Sequence, residues 1–263
     1  WLRPDWFSVP QTVERAAAGM VGRQVELAPR SYDSFARAQE LALKVSLSTA
    51  RTGAEVEILL RQEPSIGIPG VLYDASLVLA ARLVAEPSLL GSCTTEHTRV
   101  LELGCGTACA GLVAAALGAQ VVCTDRNDRA LQLAADSALD NSLWGVSVER
   151  WDWTDKMPAS CVGANVILAA DIVYSDECPK LLLKALDEAA SRGCIVLFVF
   201  RLRDPAVRAA IQSFLSGARK VFSEVVALPL APISSVKVQS FGGDGKPAFD
   251  LNTGSLYMYR LRR

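Results

Sequence analysis

Apolar and polar residues follow two different patterns, one on each side of residue 98. Between 43 and 62, apolar residues alternate with polar ones around a turn at 51–55, which predicts two paired strands. After residue 98, short apolar runs alternate with segments of helical periodicity. Such alternation is typical of a parallel sheet with crossover helices, so the sequence predicts a doubly wound, Rossmann-like α/β fold.

The predicted elements fill most of the chain after residue 70. A helix is predicted at 73–83 with Asp74 as its cap, and further helices at 109–117, 127–140, 178–190 and 205–216. Strands are predicted at 99–103, 120–124, 147–151, 165–170 and 194–200, followed by two late strands near 221–228 and 255–261. A long polar loop with a glycine cluster at 242–245 joins the late strands and is expected to be mobile or to serve recognition. We therefore divide the chain into an N-terminal extension with a β-hairpin, 1–70, and a main domain, 71–263.

The composition favours a globular protein whose partners are neither nucleic acids nor membranes. Hydrophobic residues make up 51% of the 263 positions and charged residues 21%, which allows a large core. The 27 basic and 28 acidic residues give a formal net charge of -1, so no basic field is available to bind phosphates. No apolar run approaches the roughly 18–20 residues that a membrane-spanning helix needs.

Cysteine usage indicates a reducing compartment. The seven cysteines are scattered and form no C-x-x-C pair, which argues against a disulfide framework or a zinc site. The only histidine, His97, lies in a polar stretch, so we expect neither a histidine-based triad nor a metal centre. We expect a monomer in the cytoplasm, with the nucleus as a second location.

The first candidate for chemistry is a glycine turn after an apolar strand. Gly104, Gly106 and Gly111 have the spacing G-x-G-x-x-x-x-G, which lacks the third glycine of the dinucleotide fingerprint. A pyrophosphate needs the exposed amides of a helix N-terminus, whereas the amino-acid end of a sulfonium cofactor does not. The turn therefore suits a sulfonium cofactor better, although a glycine turn alone can be a purely structural feature.

Two further positions complete a candidate nucleoside site. Asp125 ends the next apolar strand, where a carboxylate can accept both ribose hydroxyls; the alternative is a helix-capping aspartate. Trp151, Asp152 and Trp153 follow the third strand of this region, where an adenine would lie. An indole could pack on the adenine while the carboxylate takes its amino proton, but which tryptophan belongs to the core stays open.

The fourth strand of this region ends in Asp171-Ile-Val-Tyr174. Open α/β sheets bind ligands outside the carboxyl ends of their strands near the switch point, where Asp171 and Tyr174 would lie. Burying a carboxylate in so apolar a run is costly without a partner. A structural hydrogen bond could supply that partner, but a functional role is favoured.

These motifs together resemble methyltransferase family 16, the seven-strand non-histone protein-lysine methyltransferases. The resemblance covers roughly 56–226 and is carried by 72–79, 101–106, 124–126 with Asn141, 170–174 and 200–203. The D-x-x-Y pattern in 170–174 marks the family. The resemblance implies a mostly parallel seven-stranded sheet with a late antiparallel strand, S-adenosylmethionine as cofactor and a protein lysine as acceptor.

The resemblance also implies roles for individual residues. It implies cofactor contacts from Tyr73, Glu102, Gly104, Cys105, Gly106, Asp125, Asp152, Trp153 and Ala170. Tyr73 stands where the family usually has tryptophan beside the methionine portion, so an aromatic face is retained. Asp171 and Tyr174 would line the acceptor channel as catalytic residues, with Asp171 orienting the lysine rather than acting as a general base. No metal takes part.

Other interpretations stay open. A nucleic-acid amino-methyltransferase would carry [DNS]-P-P-[YFW] at the fourth strand, and the sequence at 171–174 lacks both prolines. A small-molecule methyltransferase shares the cofactor half, and relatives that modify arginine or histidine keep similar motifs. A non-catalytic scaffold and a dehydrogenase are the remaining alternatives. For a protein acceptor, we predict that 1–62 and the loop 234–253 flank the carboxyl ends of the strands and dock the substrate.

Overall fold

Two sheets and five helices make up the described part of the chain. This computed structural model describes residues 42–48, 55–91, 98–230, 236–240 and 255–263. The strands are β1 Ala42–Ser48, β2 Glu55–Arg61, β3 Arg99–Leu103, β4 Gln120–Asp125, β5 Val146–Arg150, β6 Ala164–Ala170, β7 Ala190–Arg201, β8 Glu224–Leu228, β9 Val236–Ser240 and β10 Leu256–Arg262. The helices are α1 Asp74–Ala85, α2 Cys109–Ala116, α3 Asp128–Asp140, α4 Cys178–Ala189 and α5 Pro205–Val221.

The larger sheet has seven strands in the order β5-β4-β3-β6-β7-β10-β8. The strands from β5 to β7 are parallel, whereas β10 is antiparallel to both of its neighbours. The predicted doubly wound sheet with a late antiparallel strand is therefore confirmed. β4 and β5 follow β3 on one side of the sheet, whereas β6 and β7 are added on the other side of β3. The switch point therefore lies beyond the carboxyl ends of β3 and β6.

Helices cover both faces of the larger sheet, as a parallel sheet requires. The core on one face contains α1, α2 and α3, and the core on the other face contains α4 and α5. Ten of the twelve residues of α1 are buried, because α1 lies between the larger sheet and β1. A helix in such a position needs apolar residues on all sides, which explains why α1 has no distinct polar face.

The smaller sheet has the antiparallel order β2-β1-β9 and lies on the outer side of α1, α2 and α3. The sequence prediction of a hairpin is confirmed, but the predicted position at the carboxyl ends of the strands is wrong for these residues. The alternating apolar residues of β1 and β2 are nearly inaccessible and belong to the same core as α1. Burying this apolar face directs the hairpin onto the helices.

Side chains of α3 and of the residue after it hold the free edge of β2. The amide of Asn141 accepts from Leu59 N–H at 2.8 Å and donates to Leu59 O at 2.6 Å. The hydroxyl of Ser137 accepts from Arg61 N–H at 2.9 Å. These bonds satisfy backbone groups that an edge strand would otherwise leave unpaired. Asn141 and Ser137 thus hold the hairpin against α3.

Two local sequence predictions were wrong. The stretch predicted as loop 234–253 contains strand β9, whose residues from Val236 pair with β1. Asp74 does not cap α1, because Tyr73 occupies the N-cap position and the Asp74 carboxylate pairs with Arg201 instead. His97 and the glycine cluster at 242–245 lie outside the described residues.

Within the described ranges, no helix combines the length and the apolar character that crossing a bilayer requires. The same residues contain no group of three histidine, cysteine or acidic side chains arranged to hold a metal ion.

Candidate active site at the carboxyl ends of the strands

The glycine turn after β3 forms the floor of the candidate site. Gly104 and Gly106 have positive φ angles of 57° and 52°, a region that favours glycine. A Cβ on Gly104 would lie 2.8 Å from Cγ2 of Ile172, and one on Gly106 would lie 3.1 Å from Pro69 O. The backbone turn therefore fits only without side chains at these two positions, because the segment after β6 and the segment before α1 both lie against it.

Asp125, the last residue of β4, ties this strand to the glycine turn. Its Oδ2 accepts from Gly106 N–H at 3.0 Å, and its Oδ1 accepts from Asn127 N–H at 2.9 Å. The N–H of Cys105 also donates to Thr124 O at 2.8 Å. Since each carboxylate oxygen has two lone pairs, Asp125 retains acceptor capacity for a ligand hydroxyl.

Asp125 is not the cap of the following helix. Asn127 occupies that position, and its side chain accepts from Ala130 N–H. The capping alternative for Asp125 is therefore wrong.

The structure distinguishes the two tryptophans that follow β5. Trp151 is 3% exposed and packs in the core with α4 and α5. Trp153 is partly exposed, and its Cζ2 lies 3.9 Å from the position of a Cβ on Gly104. Trp153 is thus the indole beside the glycine turn.

Asp152 lies between the two tryptophans, and its side chain stabilises the local turn. One of its carboxylate oxygens accepts from the N–H and the hydroxyl of Thr154, at 3.0 and 2.8 Å. These two bonds lower the pKa of Asp152. Its predicted contact with adenine stays a prediction.

Glu102 lies beneath the turn rather than beside it. Its side chain is 2% exposed, and Oε2 accepts from Gly111 N–H at 2.9 Å and from the Cys123 thiol at 3.7 Å. Burial raises the pKa of Glu102 to about 8, although the bond from Gly111 opposes the rise. Glu102 thus anchors the first turns of α2, and its cofactor contact stays a prediction.

Gly111, the third glycine of the motif, has a specific role beside Glu102. A Cβ on Gly111 would lie 2.4 Å from Oε2 of Glu102 and 2.8 Å from the Cys123 sulfur. We expect Gly111→Ala to lower the free energy of unfolding by about 2–3 kcal/mol, because the added methyl group overpacks the core and displaces a buried hydrogen bond. Urea unfolding measures this change.

Gly217→Ala is the matched control, since Gly217 is also helical and its Cβ would meet only the end of the Leu183 side chain. That side chain can move, so this substitution should be neutral or stabilising by up to about 1 kcal/mol. Equal stability of the Gly111→Ala variant and the unsubstituted protein would show that the glycine is not required there.

The structure identifies the partners of the Asp171 carboxylate, which the sequence did not. Its φ is +58°, its side chain is 6% exposed, and its Oδ2 pairs with the Arg203 guanidinium. Oδ1 accepts from Arg201 N–H at 3.2 Å. Burial raises the pKa of the Asp171 carboxyl, and the charge of Arg203 opposes that rise. The carboxylate is thus already compensated by protein groups.

The remaining predicted residues border the same end of the sheet. Tyr174, three residues beyond Asp171, is 45% exposed. Ala170 ends β6, and Tyr73 is half-buried at the N-cap of α1. Cys105 is buried within the glycine turn. Which of these residues touch a cofactor or an acceptor stays a prediction.

These residues fit the cofactor that the resemblance implies. The Asp125 carboxylate lies at the end of β4 and beside the glycine turn, where it can receive ribose hydroxyls. Trp153 offers a partly exposed aromatic face beside them. Arg201 and Arg203 had no predicted role in the site, although two arginines directly after an apolar strand are a visible signal in the sequence.

The fold and the residues at the switch point define an α/β protein with a candidate nucleoside site. A family model described as lysine methyltransferase, methyltransferase family 16, matches residues 53–220. The chain belongs to this family, which confirms the resemblance seen in the sequence.

Individual relatives agree with the family. Protein N-lysine methyltransferase METTL21A from Xenopus tropicalis is 37% identical over 142 residues, which cover 52% of this chain and 63% of that protein. The Mus musculus METTL21A is 31% identical over 56% of this chain and 67% of its own length. The chain thus spans about 63% of the length of the frog relative.

One solved structure confirms the fold at low sequence identity. A 16S rRNA N2 G1207 methyltransferase (RsmC) from T. thermophilus superposes with a TM-score of 0.52 and 16% identity. The match covers 85% of this chain and 51% of that one.

Proposed function

We propose that this protein transfers a methyl group from S-adenosylmethionine to the ε-amine of a lysine in a non-histone protein. The observation that carries the proposal is the family match over 53–220, which includes the glycine turn, Asp125 and the D-x-x-Y turn. The METTL21A relatives, which are named as protein N-lysine methyltransferases, support the same acceptor class.

S-adenosylmethionine, when bound, supplies an electrophilic methyl group on a sulfonium. In our proposal, Gly104, Gly106 and Asp125 hold its ribose and amino-acid part, while Trp153 packs on the adenine. Removing the proton from a lysine ammonium of pKa near 10.4 costs roughly 4–5 kcal/mol at neutral pH. The site must therefore orient a neutral amine and exclude water.

The charges near Asp171 suit a neutral amine. An uncompensated carboxylate would raise the pKa of the incoming lysine, but Arg203 already compensates Asp171. We propose that Asp171 and Tyr174 border the acceptor channel without taking the lysine proton. A cytoplasmic location and a monomeric state are further proposals; the described free cysteines are consistent with the first.

A thermal shift experiment tests the cofactor. S-adenosylhomocysteine at 100 times its Kd should stabilise the folded protein by about 2.7 kcal/mol, which corresponds to roughly 5–10 °C in Tm for a chain of this size. NAD at the same concentration should change nothing. Stabilisation by NAD but not by S-adenosylhomocysteine would contradict the proposal.

The acceptor class is tested separately. After incubation with methyl-labelled S-adenosylmethionine and a lysate of the source cell, label should appear in the protein fraction. Small-molecule methylation is the second candidate, because it would use the same cofactor half of the site. Label confined to RNA or to small molecules would overturn the acceptor assignment and leave the cofactor assignment intact.

A further inference from the structure

Four charged side chains form a ladder of alternating sign at the carboxyl ends of β6 and β7. We call Asp74, Arg201, Asp171 and Arg203 the charge ladder. The Arg201 guanidinium lies 2.7 Å from Asp74 Oδ2, and the backbone N–H of Arg201 donates to Asp171 Oδ1 at 3.2 Å. The Arg203 guanidinium pairs with Asp171 Oδ2. The side chains of Asp74 and Asp171 are only 7% and 6% exposed, so both carboxylates depend on these partners.

The order of the strands places the ladder at one end of the candidate cofactor site. Asp125 ends β4 and Trp153 follows β5, so both lie on one side of the glycine turn after β3. The ladder lies at β6 and β7, on the other side of that turn. A cofactor whose ribose is bound by Asp125 and whose adenine lies at Trp153 therefore directs its amino-acid half toward the ladder.

The ladder also fixes the segment that carries Tyr73. At one end of this segment, Pro69 packs against Gly106 of the glycine turn. At the other end, Asp74 is the first residue of α1 and pairs with Arg201. Tyr73 lies between these two attachment points, as the N-cap residue of α1.

The pairing of Arg201 with Asp74 is suited to holding the start of α1 in a fixed position. A carboxylate in the first turn of a helix is favoured by the helix dipole, and a guanidinium keeps a defined geometry that a lysine ammonium lacks. Asp171 holds the backbone of Arg201 at the same time. The Arg201 side chain thus ties the start of α1 to the carboxyl end of β7, while the Arg201 backbone is tied to the turn after β6.

We propose that Arg201 is a positioning residue for the amino-acid half of the cofactor. It holds Asp74, and through Asp74 it keeps Tyr73 beside that half of the site. Asp171 supports the arrangement by fixing the backbone of Arg201. This inference rests on the proposed S-adenosylmethionine cofactor, and it adds to that site a residue that lies outside the glycine turn and the D-x-x-Y turn.

Two ligands that share the nucleoside test the proposal by calorimetry. S-adenosylhomocysteine carries the amino-acid part, whereas 5′-methylthioadenosine lacks it. Arg201→Met should lower the affinity for S-adenosylhomocysteine by about tenfold, which is the scale of one lost hydrogen bond. It should change the affinity for 5′-methylthioadenosine by less than about twofold. Arg201→Lys should recover part of the lost affinity, since it keeps the charge.

A double-mutant cycle shows whether Arg201 acts through Tyr73. In a Tyr73→Ala background, Arg201→Met should cause little further loss of S-adenosylhomocysteine affinity, because the residue that it positions is already absent. The pair Asp74→Asn with Arg201→Met leaves no unpaired charge between these positions. It provides a folded variant if Arg201→Met alone unfolds the protein, and it should show the same selective loss.

Arg260→Met is the matched control, because Arg260 also forms a part-buried ion pair, with Glu224 at 2.5 Å, between β10 and β8. It should leave the affinities for both ligands unchanged. Equal weakening of both ligands by Arg201→Met, or an undiminished effect in the Tyr73→Ala background, would overturn this inference alone. Failure of the unsubstituted protein to bind S-adenosylhomocysteine would overturn the proposed cofactor and the inference with it.

Discussion

Replacing Asp125 by alanine is expected to weaken S-adenosylhomocysteine binding by about 2–4 kcal/mol, or roughly 30-fold to 1000-fold. The expected loss exceeds that of one ribose hydrogen bond, because the same carboxylate accepts from Gly106 N–H at 3.0 Å. Without the carboxylate, the glycine turn also loses one of its two hydrogen bonds to β4. Isothermal titration calorimetry measures the change.

Asp125→Asn should lose less affinity than Asp125→Ala, since one amide oxygen can still accept a hydrogen bond. Asp155→Ala is a control for removing a nearby carboxylate, because Asp155 is exposed and pairs loosely with Arg150 at 3.9 Å. If the alanine variant of Asp125 bound the ligand as tightly as the unsubstituted protein, the assignment of Asp125 to the ribose would be wrong.

Replacing Glu102 by glutamine is expected to change the pH dependence of stability. Burial raises the pKa of Glu102 from 4.5 to about 8, so between these values the folded protein keeps a proton that the unfolded chain releases. Each unit of rising pH then lowers the free energy of unfolding by about 1.4 kcal/mol. This stabilising contribution is fully present below pH 4.5 and is lost as pH rises through about 8.

The glutamine variant lacks this titration but keeps an oxygen for Gly111 N–H. Relative to the unsubstituted protein, it should therefore gain about 2–3 kcal/mol of stability between pH 5.5 and 7.5, measured by urea unfolding. Glu188→Gln removes an exposed carboxylate and serves as the control. A difference between the Glu102→Gln variant and the unsubstituted protein that stays constant over this pH range would contradict the raised pKa.

The larger sheet was predictable because its signals are local. An apolar run bounded by Arg99 and the glycine turn gives the observed limits of β3, and the crossover helices follow from periodicity. β9 was missed although Val236 and Val238 alternate with polar residues, because the glycines that follow at 242–245 favoured a loop. Its pairing with β1 joins residues far apart in sequence, and periodicity does not encode such pairing.

Candidate site residues were predictable where they lie at the end of one strand or in the turn that follows it. Gly104 and Asp125 lie where the order of elements puts them, since parallel strands end at the same edge of a sheet. The partner of Asp171 is Arg203, which lies 32 residues later in the chain. Only the adjacency of β6 and β7 brings these two charges together, so the sequence alone left the choice between a structural and a functional carboxylate open.

The most direct test of the proposed function is the identity of the methylated amino acid. Protein labelled with methyl-labelled S-adenosylmethionine and a lysate of the source cell should be hydrolysed completely and its amino acids separated. We expect label in ε-N-methyllysine. The Asp125→Ala variant should transfer no label at a cofactor concentration that saturates only the unsubstituted enzyme. Label in methylarginine or methylhistidine, or no label in protein at all, would contradict the proposed function.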